Sequence, residues 1–485
     1  MRFRKVSDGT DRTGLDGKLL SAIPPARKVL ELGRVMPGLT RRYKLRHASA
    51  KWHRADIGAT PPDEDGAHLD RIQTVNCDTP DLDGFDDDYD CIVIGDALSQ
   101  VVNPQRLVTE LRRITTKDAR LICCVANATH VSVLEQMLLG ELSSPGDGGT
   151  DHGRRWRFSQ SSVFKLLLDS GWLPQLKDSN RANHPNRALA ASVTAGSREL
   201  GVSQEAAERI LNTHRMIVVC TKGEEAPAVA AVPISVIVPV NNEVQFDLNV
   251  AASPGLHEIG AQIVPCRGAR SAADALKQGR ARATGEWLVF CHQDVYFPAG
   301  SGACLSALLA QVPPEQAPGT ILGFSGIGSS LPSDPYAHTF HSGLVIDRVD
   351  CYDLPASEHA VSVDELAIVL HRDTRAVIDP ALGWHLWATD LCLAALRHGP
   401  GMQARIVRVP LFHNSMTGHA FIPAFHASGR KLAAKYPEIR GIRTLCGTIA
   451  ATSAGRMLQG SRAWHGAKSV IRRARARLRI SFAAD

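Results

Sequence analysis

The sequence predicts an α/β protein made of two doubly wound domains. Three observations carry this. Short apolar runs ending in glycine or polar residues alternate with segments of helical spacing, the pattern of a mainly parallel sheet with helices on both faces. The pattern stops at "GEEAPAVAAVP", Gly223 to Pro233, which is rich in Pro and Ala and has no periodicity, and restarts with "ISVIVPVNNE". The chain's 485 residues also exceed what one core ordinarily organises. The expected division is a basic N-terminal segment over 1–24, a first domain over 25–222, a linker over 223–232, a second domain over 233–440 and a basic helical tail over 441–485.

In the first domain, "RKVLELG" reads as a buried strand ending at Gly33, and "AKWHRADIG" as a weaker second strand. "DYDCIVIGD", "ARLICCVAN" and "HRMIVVCTK" are further strands, while "PQRLVTELRRI" and "SSVFKLLLDSG" have helical spacing. In the second domain the strands are "ISVIVPVNNE", "AQIVPC", "GEWLVFCHQDV" and "GTILGFSGIG". "RSAADALKQGRARATGEWLVF" is a helix feeding the HQD strand, "SVDELAIVLHRD" sets two acids before an apolar strand, and "GWHLWATDLCLAALRHG" reads as an amphipathic helix headed by Asp390. "IVRVPLFHNS" then places His413 after a strand.

Composition narrows the classes. A hydrophobic fraction of 44% is that of a folded globular chain, and a net charge of +6 is too small to argue for nucleic acid as a partner unless it is concentrated somewhere. Of the eleven cysteines, Cys91, Cys123, Cys124, Cys220 and Cys291 sit in apolar runs, and no CxxC pair occurs, so free thiols in a reducing cytoplasm are expected. The basic N-terminus has no apolar stretch behind it, unlike a signal peptide, and no apolar run reaches membrane-spanning length.

Several residues have the placement of a ligand site. Ligands of open parallel sheets bind at the carboxyl ends of strands. Asp56 lies 23 residues beyond Gly33, a spacing that suits an acid on ribose hydroxyls; ordinary turn acids are the simpler alternative. In the second domain Pro239 ends a strand, and Asn241, Asn242 and Glu243 form a polar lip beyond it. Asp294 follows the apolar run Trp287 to Cys291 and is either a cap or turn residue or a carboxylate for a divalent metal that clamps a diphosphate.

Residues 25–222 resemble the class I S-adenosylmethionine-dependent methyltransferases. The resemblance lies in "DYDCIVIGDALSQVVNPQRLVTELRRI", where a strand leads to Leu98 and an Asn-Pro turn, and in "VANATHVSVLEQMLLGEL" and "RRWRFSQSSVFKLLLDSGW". It implies a Rossmann-like fold with S-adenosylmethionine as cofactor: Glu31 and Gly33 facing it, Asp56 on the ribose, Asp78 on the adenine and Asp96 near the methionine moiety. The chain departs from the family in "GRVMPG", where Arg34, Val35 and Met36 replace small residues, and in Ser99-Gln100.

Residues 232–440 resemble the family 2 nucleotide-sugar glycosyltransferases of GT-A fold, in the subgroup carrying "HQDV"; "VDE" and "DLCLAALRHG" extend the likeness. This implies transfer of a sugar from a nucleotide-diphosphate donor to a glycan or lipid-linked acceptor, with inversion and with magnesium or manganese. By position Pro239, Val240, Asn241, Asn242, Glu243 and Gln293 would line the donor pocket. Asp294 would bind the metal, His413 would be a further ligand, and Asp390 the general base, with Asp364 and Glu365 as the alternative pair. Lys277 and Thr389 depart from the subgroup's pattern. Two other readings stand beside this one: a bifunctional or primarily methylating enzyme of polysaccharide biosynthesis, and a non-enzymatic assembly scaffold.

The segment "SRAWHGAKSVIRRARARLRISFAAD" has no acid between Arg462 and Arg479. As a helix it would carry a broad basic face and a thin apolar one, suited to an anionic membrane surface at about 1 kcal/mol per basic residue. A solvated tail is the alternative. A cytoplasmic protein, peripheral at the inner face of the cell membrane, is the resulting expectation.

Overall fold

The computed structural model describes residues 14–57, 65–76, 82–85, 88–141, 155–181, 186–331, 334–336, 338–349, 351–416 and 423–449. The chain divides into two compact units, Met1–Glu225 with Ile346–Cys351 and Asn414–Gly418, and Ala226–Val345 with Tyr352–His413 and His419–Asp485.

The first unit is built on seven strands: β1 (Lys28–Leu32), β2 (Lys51–Ile57), β3 (Arg71–Val75), β4 (Tyr89–Ile94), β5 (Thr115–Ala126), β6 (Trp172–Arg181) and β7 (Thr213–Lys222). Their order is β3-β2-β1-β4-β5-β7-β6. The first five are mutually parallel, and β7 runs antiparallel to both β5 and β6. The order reverses direction between β1 and β4, which makes this a Rossmann-like sheet with its switch point there. Residues of β1 and β4 such as Val29, Leu30, Leu32 and Cys91 to Ile94 are fully buried, so these strands read as continuous apolar runs rather than alternating ones. The helix Pro104–Arg113 begins where Asn103 accepts the Arg106 N–H at 2.9 Å and proline takes the first turn. Ser159 and Ser162 form a reciprocal cap on the helix Gln160–Asp169.

The second unit holds two larger sheets and a hairpin. Its strands are β8 (Ile234–Val240), β9 (Gln262–Arg267), β10 (Trp287–Cys291), β11 (Val295–Tyr296), β12 (Thr320–Gly323), β13 (Ser325–Ser329), β14 (Thr339–Asp347), β15 (Cys351–Asp353), β16 (Ala360–Val363), β17 (Ala367–His371), β18 (Gln403–Ile406), β19 (Leu411–His413), β20 (Ile442–Thr444) and β21 (Gly447–Ile449). One sheet has the order β18-β12-β17-β10-β8-β9, the other β11-β19-β14-β13-β16 with β15 on β14. β8 is parallel to β9 and β10, whereas β17 is antiparallel to β10 and β12. Residues 442–449 form an antiparallel hairpin where the sequence suggested the start of a helical tail; the remainder of that tail lies outside the described residues, as does Asp78. Among the described residues no helix is long and apolar enough to cross a membrane, and ten cysteines are free thiols.

Candidate functional site

In the second unit three ligand-type side chains meet at the carboxyl end of β10. The chain turns there through His292-Gln293-Asp294, with the Val295 N–H donating to the His292 carbonyl at 3.3 Å, and enters β11. β11 pairs antiparallel with β19, and the match of Val295 with His413 brings distant residues together. His413 Nε2 lies 3.6 Å from Asp294 Oδ1, and the His292 and His413 rings are 6.0 Å apart. One ligand atom from each of His292, Asp294 and His413 lies within 4.8 Å of the others. Burial alone would raise the Asp294 carboxyl, but the charge and hydrogen bond of His413 and the charge of His292 outweigh it and hold the group down at about 2. Two imidazoles and an ionised carboxylate fit a divalent cation. Such a set is softer than magnesium prefers.

Gln293 takes a different part. Its Oε1 accepts the backbone N–H groups of Asn241 and Asn242 at 2.9 and 3.0 Å, and its Nε2 donates to Asn241 Oδ1 at 2.6 Å. It therefore fixes the loop after β8 against the end of β10. Pro239 and Val240 close β8 opposite Cys266 and Arg267. Asn242 caps the helix Glu243–Leu248 through the Gln245 N–H, and Glu243 forms a two-point pair with Arg267 at 2.7 and 2.8 Å.

The paired acids arrive at the same end of the sheet. Cys291 stands opposite Ala367, and the His292 N–H donates to the Leu366 carbonyl at 2.9 Å. Glu365 directly precedes Leu366, in the turn that leads into β17. Asp364 Oδ1 accepts the Leu366 N–H at 2.9 Å. Glu365 faces the backbone amides of Leu386, Trp387 and Ala388, the N-terminus of the helix Trp387–His398. Burial and then the charge of Asp364 push its carboxyl up to about 8, against the pull of those amides. Glu365 Oε1 is enclosed, with no hydrogen-bond partner of good geometry among the described residues. Leu386, which precedes the helix, has φ of 65° and is the one non-glycine residue with positive φ among those described.

Asp390 lies in the first turn of the same helix, where the protein itself engages its side chain. It is 1% exposed, and its two oxygens accept from Tyr436 Oη at 2.7 Å and Lys435 Nζ at 2.8 Å. The helix that carries it is buried without a break from Trp387 to Leu393, not amphipathic over that stretch.

In the first unit the carboxylates at the switch point are engaged by the protein itself. Glu31 is 1% exposed; its Oε1 accepts the Val35 N–H and its Oε2 the Trp52 indole N–H, each at 3.0 Å. Burial pushes its carboxyl up to about 7, although these bonds and Arg54 oppose this. Asp56 lies 2.9 Å from the guanidinium of the equally buried Arg54, and Asp96 lies 2.6 Å from Arg215. Gly33 has φ of 64°, and a Cβ on it would come within 3.0 Å of the Ala97 Cβ. A Cβ on Gly95 would meet Val35 Cγ1 at 3.2 Å, so the loop after β1 lies against the end of β4. In this conformation Glu31, Asp56 and Asp96 at the switch point each have a partner within the protein. A cavity of about 410 Å³ between the helices Arg187–Ser197 and Gln204–Asn212 is lined by none of these residues.

His292 was not singled out by the sequence, although it stands two positions before Asp294 and an H-x-D spacing at a strand end is a recognisable pair of ligands. Arg54 was also missed. Its position two before Asp56 on one strand puts both on the same face.

No protein-family model matches the chain, and no curated protein matches it. Several solved structures similar to it over the N-terminal part are described as methyltransferases. One from Thermotoga maritima, described as an S-adenosylmethionine-dependent methyltransferase and possible histamine N-methyltransferase, is 16% identical over 43% of this chain and 89% of its own, with a TM-score of 0.27. Another from Mesorhizobium loti is 15% identical over 43% of this chain and 100% of its own, with a TM-score of 0.27. A third from Archaeoglobus fulgidus is 14% identical over 43% and 92%, with a TM-score of 0.28. Likenesses at these scores carry no weight for activity; the Rossmann-like description of the first unit rests on its strand order.

Proposed function

We propose that the second unit is a metal-dependent glycosyltransferase that takes a sugar from a nucleotide-diphosphate donor. The observation that carries this is the meeting of His292, Asp294 and His413 at the end of β10, beside a loop that Gln293 holds in place. His292, Asp294 and His413 would hold the cation, with manganese favoured over magnesium by the two imidazoles. When bound, the cation supplies charge neutralisation for a departing diphosphate. The loop Pro239 to Asn242, whose Asn241 and Asn242 N–H groups are held by Gln293, would border the nucleotide. The acceptor is a glycan or lipid-linked hydroxyl, and the basic tail would suit an anionic membrane surface.

The test is calorimetry with UDP, GDP and dTDP in manganese and in magnesium. Nucleotide binding that requires manganese and is lost in Asp294→Ala is the expected result. Binding that is equal in the variant and the wild type would overturn the reading.

A second reading, favoured by the switch-point sheet of the first unit, is an S-adenosylmethionine-dependent methyltransferase. Titration with S-adenosylhomocysteine tests it. The paired state of Glu31, Asp56 and Asp96 argues for absent or weak binding, and micromolar binding abolished by Asp56→Ala would establish it instead.

A further inference from the structure

We propose that Glu365, not Asp390, is the general base of sugar transfer; this rests on the glycosyltransferase reading above. Three observations converge on it.

The first is position. The pairing of β10 with β17, continued by the bond from the His292 N–H to the Leu366 carbonyl, sets Glu365 at the strand end that carries His292, Asp294 and His413. A base must stand beside the reacting centre before its acidity matters. Asp364 stands next to it, but its Oδ1 closes a local turn on the Leu366 N–H.

The second is availability. A base needs a lone pair free to receive the acceptor's proton. Glu365 is only partly buried as a residue; the backbone amides of Leu386 to Ala388 bond its carboxylate, and its enclosed Oε1 has no further partner of good geometry among the described residues. Asp390 differs in its partners, since a cation and a phenol occupy its two oxygens. Enclosed polar atoms left without a partner are uncommon in folded proteins, and a catalytic role is one of the standard reasons for them.

The third is affinity for the proton. Burial and Asp364 make Glu365 a stronger base than an ordinary carboxylate, which brings its proton affinity close to the working range of a base near neutral pH. The helix amides at Leu386 to Ala388 face the carboxylate and stabilise its ionised form. The left-handed backbone at Leu386 opens the helix in that direction.

In the proposed step the acceptor oxygen attacks the anomeric carbon and forms the new C–O bond. Its proton passes to the Glu365 carboxylate. The bond from the anomeric carbon to the β-phosphate oxygen breaks, and its electron pair leaves with the nucleoside diphosphate. The products are the glycoside, the diphosphate and a protonated Glu365. One displacement inverts the carbon.

The experiment compares full-length wild type, Glu365→Gln and Asp390→Asn. It measures nucleoside diphosphate release from a panel of UDP-glucose, UDP-galactose, UDP-N-acetylglucosamine, GDP-mannose and dTDP-rhamnose with manganese, water serving as acceptor. UDP, GDP and dTDP affinities with manganese are measured by calorimetry and thermal midpoints by scanning on the same samples. Glu365→Gln is expected to lose about 10²–10⁴-fold in kcat with nucleotide affinity and midpoint unchanged, and Asp390→Asn to lose midpoint first. If Glu365→Gln keeps wild-type turnover while Asp390→Asn loses it at an unchanged midpoint, Glu365 is not the base and the glycosyltransferase reading stands. If the wild type binds none of the nucleotides with manganese and releases none, both fall together.

Discussion

Replacing Lys435 by methionine should destabilise the second unit. Lys435 Nζ reaches Asp390 Oδ2 at 2.8 Å and Asp379 at 3.0 Å, while Tyr436 Oη holds Asp390 Oδ1 at 2.7 Å. Removing one partner of a buried ion pair costs about 3–5 kcal/mol, because the other charge is left uncompensated. Here the Asp390 side chain is 2% exposed, whereas that of Lys435 is 38% exposed, so water recovers part of the loss. That leaves about 2–3 kcal/mol. Tyr436→Phe removes one hydrogen bond to a charged group, about 1.5–3 kcal/mol. Asp390→Asn should cost less than Lys435→Met, since Lys435 keeps Asp379. For a unit of this size, about 2–3 kcal/mol corresponds to a fall of roughly 4–12 °C in Tm. Urea titration of wild type, Lys435→Met and Lys435→Met/Asp390→Asn gives the measurement. The double variant should recover part of the loss. A single variant with a wild-type urea midpoint would show that the pair is not holding the helix Pro423–Lys435, and that Asp390 is not tied up by its partners.

Other outcomes follow from the same geometry. Glu31 is raised from its ordinary 4.5 to about 7 in the folded chain, so between those values the folded state keeps a proton that the unfolded chain has released. Stability therefore falls as pH rises through that window, by about 3 kcal/mol in all. Glu31→Gln should flatten this slope between urea titrations at about pH 5 and pH 8, and an unchanged slope would refute it. Gly33→Ala, at φ of 64° and against the Ala97 Cβ, should lower the first unit's stability by about 1–3 kcal/mol; no change in its urea midpoint would mean the loop relaxes freely. Crowding around the Cys446 sulfur and the charges of Asp364 and Glu365 push that thiol up to about 12, although the residue as a whole is exposed. Asp364→Asn/Glu365→Gln should therefore speed its alkylation by iodoacetamide at about pH 8, roughly tenfold per unit of lowered pKa. Peptide mapping that finds equal rates would place the acids out of its reach.

How much of this was legible in sequence depended on whether the signal was local. β1, β4, β5, β8 and β10 announced themselves because strands covered on both faces are continuous apolar runs. β3 and β6 did not, since "RIQTV" and "WLPQLKDSNR" carry polar residues that an edge position tolerates. Asp294 and His413 were picked out singly after strands, and Glu365 with Asp364 as paired acids before one. Their grouping with His292 depends on two pairings, β11 with β19 and β10 with β17, whose partners are far apart in the chain. For the same reason the partners of Asp390, 45 and 46 residues downstream, gave no sign in the sequence around it. Gln293 was placed in the donor pocket from its neighbours in sequence, and its hold on the loop after β8 depends on a contact with residues 51 and 52 positions earlier.

The split origin of the three-residue cluster has a consequence during synthesis. His413 follows His292 by 121 residues. At about 5–20 residues per second, the ribosome makes a chain with His292 and Asp294 several seconds before their third companion exists. A nascent second unit thus passes through a stage with only two ligands, too few to keep a metal against competing chelators. On the proposed reading, capture of a cation would mark the moment when β19 has closed onto β11, and its retention would report on how far translation and folding have advanced.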